Sequence, residues 1–255
     1  MPENAATYDT SRTMDEKSWW DLWNTSHRTK DLNDPVSSEL FQRIVPVINT
    51  ITKDGAGRVL EVACGAGDVS RVLSCSSYHG LDISPAAIEI ARQKAEKSLL
   101  AGKGYLPTYE AADFHEWPLP VDPFDVVVCV DAISCFRDQK LVLSKMAKAL
   151  KREGHLVITT INPFIYYRIK KVWPNGPISH WLTRNELHDL VTSAGFAIEE
   201  SYTIMPRGNL GLLRLLNSGR LDAVLGPSLA ARWRRLKERA GLGQYRVIQA
   251  RKTVL

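Results

Sequence analysis

From residue 58 to residue 161, short β-branched apolar runs alternate with helical stretches, and this alternation is what most restricts the fold. Strands of this kind pair in parallel and bury both faces under the intervening helices. The pattern predicts strands at Arg58–Val62, Tyr78–Asp82, Thr108–Ala112, Phe124–Val130 and His155–Ile161, with helices near Asp68–Ser74, Pro85–Ala101 and Gln139–Leu150. Pro85 suits a first helical turn capped by Ser84, because proline lacks only a donor that this turn leaves unpaired. Thr183 and Glu186 have capping-box spacing and open a further helix that Gly195 stops. Phe196–Ile204 and Gln244–Lys252 read as two more strands whose pairing the pattern leaves open. A chain of 255 residues with 44% apolar content can bury one large core, so the expectation is a single domain over 1–255.

Composition removes several function classes. None of the four cysteines, Cys64, Cys75, Cys129 and Cys135, forms a CxxC pair, so packed reduced thiols are expected, with no zinc site and no disulfide frame. Met1–Trp20 is polar and nothing approaches a membrane-spanning length, which leads to the expectation of a cytoplasmic protein. The net charge of +5 is uneven: residues 205–255 carry eleven Lys/Arg against two Asp/Glu, or +9, which leaves −4 for residues 1–204. A basic tail suits nucleic acid, an anionic membrane surface, an acidic substrate or simply a solvated face.

The first predicted strand ends in Ala63-Cys64-Gly65-Ala66-Gly67 and runs into a helix. Glycines in such a turn let backbone amides approach a ligand, and Gly65-Ala66-Gly67 with Ser70 is also a degraded dinucleotide fingerprint. Asp82 ends the second strand fifteen residues beyond Gly67, where an acid can accept both hydroxyls of a ribose. Asp113 ends the third strand beside Phe114, an acceptor and an aromatic face suited to adenine. Glu61, Asp82 and Asp113 at successive strand ends, with the glycine turn, describe an adenosine site.

With these motifs in place, the chain resembles the class I S-adenosylmethionine (SAM) dependent methyltransferases. Val59–Ser70, Gly80–Pro85, Ala112–Phe114, Phe124–Val128 and Leu150–Leu156 fall in the order and at the spacings of that family's motifs, over roughly residues 58–200. The resemblance implies a doubly wound, seven-stranded, mostly parallel α/β sheet with an antiparallel last strand, so that Gln244–Lys252 inserts beside the fifth and sixth strands. It implies a SAM-binding core at 58–161, an N-terminal helical cap within 1–50, substrate-side elements at 162–255 and a helical insert at 208–240. It also implies that Glu61, Ala63, Gly65 and Gly67 surround the methionine part of SAM and of its product S-adenosylhomocysteine (SAH). Asp82 with Ile83 would hold the ribose, Asp113 with Phe114 the adenine, and Val130 would offer backbone to the methionine amine. Ala63 and Cys64 depart from the glycine and small residue that many members carry there.

Trp19-Trp20-Asp21-Leu22-Trp23, with His27 beyond, resembles the aromatic cap of thiopurine and ubiquinone-pathway methyltransferases, with Trp20 or Trp23 closing over SAM. Val130-Asp131-Ala132-Ile133 stands where amino-methylating enzymes of nucleic acid often carry Asp/Asn-Pro-Pro-aromatic, which argues against a nucleic-acid substrate. Asp131 and His180 are the candidate bases for a hydroxyl acceptor, because neutral oxygen is a poor nucleophile. Tyr166, Tyr167 and Arg168 are candidates for the same mouth. The expected reaction is methyl transfer to O or N of a small aromatic or lipophilic metabolite. An RNA methyltransferase, a SAM-binding regulator without turnover and, more remotely, an NAD-dependent oxidoreductase are the alternatives. The basic, leucine-rich segment 208–240 suits a lid over the acceptor pocket, and otherwise a homodimer surface or a foot on a peripheral membrane contact.

Overall fold

The computed structural model describes residues 15–26, 35–53, 55–100, 105–174, 176–178, 180–206 and 219–253. His27 and the first part of the insert, residues 208–218, lie outside them. Seven strands form one sheet in the order β3-β2-β1-β4-β5-β7-β6. They are β1 (Arg58–Val62), β2 (Ser77–Asp82), β3 (Thr108–Ala111), β4 (Phe124–Val130), β5 (Leu150–Ile161), β6 (Phe196–Pro206) and β7 (Gly243–Lys252). The strands β1 to β5 pair in parallel, and β7 runs antiparallel to both β5 and β6. The pairing left open by the pattern is thus settled, with β7 between its neighbours and Tyr245 opposite Ile161.

The helices are α1 (Glu16–Ser26), α2 (Pro35–Ile51), α3 (Asp68–Val72), α4 (Pro85–Leu100), α5 (Gln139–Ala149), α6 (Arg184–Ser193) and α7 (Gly219–Arg239). Alternation along the strands builds two cores. Leu60, Val127, Leu156 and Ile248 face α5 and α6 on one side of the sheet. Val59, Val126, Val157 and Val247 face α2, α3 and α4 on the other. Ile44 and Ile48 of α2 are fully buried in the second core, each burial supplying about 2–3 kcal/mol. Within residues 1–50 the two described helices differ: α1 lies against the crevice, while α2 closes one face of the sheet and reaches the cavity with Leu40 and Phe41.

Three local differences from the sequence reading have clear causes. The fifth strand starts at Leu150 rather than His155, because a register irregularity between Phe124 and Val126 accommodates the Lys151–Gly154 stretch. The proline-bounded region after β5 contains a π-helical segment, Phe164–Lys170, started by Pro163 at φ −62°. Asn162 anchors it, accepting from Phe164 N with its carbonyl and donating through its amide to the Gly241 and Gly243 carbonyls. Finally, α7 is two helical pieces broken at Gly226, whose φ of 71° and ψ of 166° only glycine adopts readily. The Thr183–Glu186 capping box forms in full.

Candidate active site

A cavity of about 730 Å³ opens at the carboxyl ends of β1, β2, β3 and β4, the crevice in which open α/β sheets bind ligands. Glu61, Ala63, Gly65, Asp82, Ile83, Asp113, Phe114, Val130 and Asp131 all line it, as do Trp20 and Trp23. Gly67 and His180 are not among its lining residues.

The turn after β1 is held by its own backbone. Asp82 accepts from Gly65 N at 2.8 Å with one carboxylate oxygen and from Ser84 N at 3.0 Å with the other. Each oxygen keeps a second lone pair, so two acceptors remain for two hydroxyls. Burial pushes the Asp82 carboxyl above its ordinary pKa, while these amide bonds pull the other way. Gly65 has φ +52° and open space where a Cβ would sit, which leaves its backbone accessible from the cavity. Gly67, at φ +71°, is needed for a different reason. A Cβ there would meet Tyr109 and Ala91, so its role is packing of the turn against β3 and α4. Ala63 also has positive φ, 60°, in the place where the resemblance puts a glycine.

Glu61 is 2% exposed and accepts a short hydrogen bond from the Tyr78 hydroxyl. Burial raises its pKa to about 8, the Tyr78 bond opposes this, and the nearby Asp68 and Asp82 add to the rise. Asp113 receives His115 N and the His115 ring at 2.8 Å on one oxygen and Arg137 at 2.8 Å on the other. Burial would raise its pKa, but the His115 and Arg137 interactions outweigh that and hold it below the usual carboxylate range. Phe114 stacks on Trp117 with centroids 5.9 Å apart, which fixes its ring at the wall.

Another part of the lining is aromatic. Tyr166, Trp173, Trp181 and Tyr245 form it together with Thr160 and Asp131. Asp131 lies at φ 54°, and its amide donates to the carbonyl and hydroxyl of Thr159 at 2.9 and 3.0 Å. Tyr167 stacks on Trp181 behind the wall, and Arg168 is exposed. His180 turns outward, 3.8 Å from the Glu186 carboxylate, because its neighbour Trp181 takes the inward direction.

Helix α1 forms the roof. Trp19 stacks on Trp23 at 5.2 Å and meets Trp20 edge-on at 4.6 Å. Three contacts anchor the helix: Asp21 accepts from Ser84 Oγ and Ala86 N, Glu16 pairs with Arg137, and Trp19 packs where Gly176 leaves no room for a Cβ. Sequence reasoning missed Glu16, Asp21, Arg137 and Trp173. Only Asp21 carried a local signal, lying within the tryptophan run.

Such a sheet, with its antiparallel β7 and acids at the ends of β1 and β2 and just past β3, defines the class I SAM-dependent methyltransferase fold. A family model described as a methyltransferase domain matches residues 53–200, and the chain belongs to that family. It is 33% identical over 121 residues to the demethylmenaquinone methyltransferase of Thermotoga maritima, covering 46% of this chain and 49% of that one. The chain spans about half the length of the curated relatives it matches. In fold it is similar to the magnesium protoporphyrin IX methyltransferase of Synechocystis PCC 6803 with bound SAH, at TM-score 0.60 and 16% identity, covering 94% of this chain and 100% of that one. It is also similar to the [4+2]-cyclase SpnF, at TM-score 0.59 and 22% identity, covering 84% and 82%.

Proposed function

We propose that this chain binds SAM in the crevice and transfers its methyl group to an oxygen or nitrogen of a small, lipophilic or aromatic acceptor. The observation that carries the reading is the continuity of one cavity: acids at the ends of β1 and β2 and just past β3 lead into an aromatic chamber around Asp131. The acceptor set fits the cofactor, since Asp82 keeps one lone pair on each oxygen for a ribose and Asp113 keeps one, on the oxygen that meets Arg137, for an adenine amine. Glu61 and the Gly65 backbone would surround the methionine part, Ile83 and Phe114 would flank the base, and Val130 would present backbone to the amine. When bound, SAM supplies a methyl group on a sulfonium, already a good leaving group.

The chain's own task is then alignment and exclusion of water. The roof of Trp19, Trp20 and Trp23 shields the crevice, and the aromatic wall orients a flat acceptor. Asp131, its amide bonded to Thr159, would take a proton from an acceptor hydroxyl. The demethylmenaquinone methyltransferase among the relatives favours an apolar ring system as acceptor.

The test is formation of SAH when the protein is given SAM and a panel of hydroxylated quinols, phenols and aromatic amines. The reading fails if SAH binds but no acceptor is turned over. That result would favour the second reading, a SAM-binding protein without methyl transfer.

A further inference from the structure

None of the described residues of α7 lines the cavity. Part of the apolar content of the insert, expected to build a lid, is here turned outward. Leu229 and Leu236 are 54% and 59% exposed, and the spacing 229, 232, 236, 239 puts Leu229, Arg232, Leu236 and Arg239 on one face of the helix. Arg234 and Arg235 are exposed beside them. The helix holds six basic and two acidic residues. Glu238, buried against Arg43, and Lys237, also buried, add nothing to the outer face, whose exposed cations are Arg232, Arg234, Arg235 and Arg239.

A second patch of the same composition rims the cavity mouth. In Phe164–Trp173, Phe164, Val172 and Trp173 are exposed, together with Arg168, Lys170 and Lys171. Val172 and Trp173 also line the cavity, so this patch is its outer lip. The C-terminal end of α7 runs into a turn beside the start of the π-helical segment. Asn162, just ahead of the π-helical segment, donates to the Gly241 and Gly243 carbonyls between α7 and β7.

We propose that these two segments form a docking surface for an anionic lipid bilayer, bringing the cavity mouth to the membrane so that a lipophilic acceptor enters from the lipid. A phosphate track for nucleic acid needs cations, but gains nothing from outward leucines and an exposed tryptophan. Interleaved arginines and large apolar side chains are what an interfacial helix presents. Tryptophan at the lip matches the headgroup level, where one side of the ring is apolar and the other wet. No helix among the described residues is long and apolar enough to cross a membrane, which is consistent with contact at a surface.

The proposal is tested on the full chain by flotation with vesicles of phosphatidylcholine alone and of phosphatidylcholine with phosphatidylglycerol. Binding only to the anionic vesicles, weakened by salt, is the expected result. Arg232→Glu with Arg235→Glu should lower partitioning by about thirtyfold, from a contribution of roughly fivefold per basic residue at such a surface. Leu229→Ser with Leu236→Ser, which touches no charge, should lower it as well. SAH binding, measured alongside, reports that each variant is folded and leaves the methyl-transfer reading to its own assay. No vesicle binding, equal binding of neutral vesicles, or binding unaffected by both variants overturns the proposal. Salt-sensitive RNA binding in place of vesicle binding overturns it too.

Discussion

Asp21 on the roof helix accepts a 2.6 Å hydrogen bond from Ser84 Oγ, two residues past Asp82. The same Asp21 oxygen receives Ala86 N at 3.3 Å, so α1 supplies part of the N-terminal cap of α4. The roof helix and Asp82 are thereby mechanically joined. Asp21→Ala should cost about 1 kcal/mol of stability, as lost caps do, and weaken SAH binding severalfold. Asp21→Asn keeps an acceptor oxygen and should recover most of that binding. Calorimetry giving wild-type SAH affinity in the alanine variant would leave the latch without a function.

Glu61 makes the ligand-free protein sensitive to pH in a defined direction. Its pKa is raised from 4.5 to about 8, chiefly by burial, so the folded state holds a proton that the unfolded chain gives up. The associated stability is fully present below pH 4.5 and is lost as pH rises through about 8. A sulfonium and an ammonium next to Glu61 would favour its ionised form. Binding of SAM should accordingly release a proton, and its affinity should climb between about pH 6.5 and 8.5. Titration calorimetry in buffers of different ionisation enthalpy reads that proton directly. Glu61→Gln should abolish both effects; an unchanged pH profile in that variant would assign the proton elsewhere.

Ala63 holds φ 60° in the turn, a conformation costing an alanine about 1–2 kcal/mol relative to glycine. Ala63→Gly relieves this but gains about 0.4–1 kcal/mol of unfolded-chain entropy. The glycine variant should therefore be between as stable as wild type and about 1.6 kcal/mol more stable when unfolded in urea. Ala63→Val places a β-branched residue in the same left-handed position at the cavity wall, and should lose more than about 2 kcal/mol together with SAH binding. Equal behaviour of the two variants would show that the turn relaxes in solution.

What the chain reveals without coordinates follows from how locally each feature is determined. β1, β4 and the Thr183 cap depend on neighbours in sequence, through apolar periodicity and a side chain bonding its own helix, and these features are legible. Asp82 and Asp113 are legible too, because strand ends in a parallel sheet necessarily converge on one crevice. Contacts such as Arg137 with Asp113 and Glu16, or Trp19 with Gly176, join segments far apart in sequence. No local pattern encodes them. α2 is the intermediate case: its apolar stripe is readable, but whether it covers a ligand or a sheet depends on where the chain returns.

Asp131 and His180 are both candidates for a base in sequence, and the structure separates their surroundings. Asp131 lines the cavity in a left-handed conformation, with its amide bonded twice to Thr159, so its backbone is fixed at the edge of the aromatic chamber. His180 is half-exposed beside Glu186 and outside the lining. Asparagine tolerates the left-handed region nearly as well as aspartate, which makes Asp131→Asn a clean removal of basicity. On a hydroxyl acceptor it should lower kcat by about 100-fold or more, the usual contribution of a positioned base, while SAH affinity stays within a few-fold. His180→Ala should leave kcat within about twofold, since no proton acceptor is lost from the chamber. For an amine acceptor, which reacts once unprotonated, the Asp131→Asn effect should shrink and depend on pH. The assignment is wrong if the asparagine variant methylates a phenol or quinol at the wild-type rate, or if His180→Ala is the variant that loses turnover.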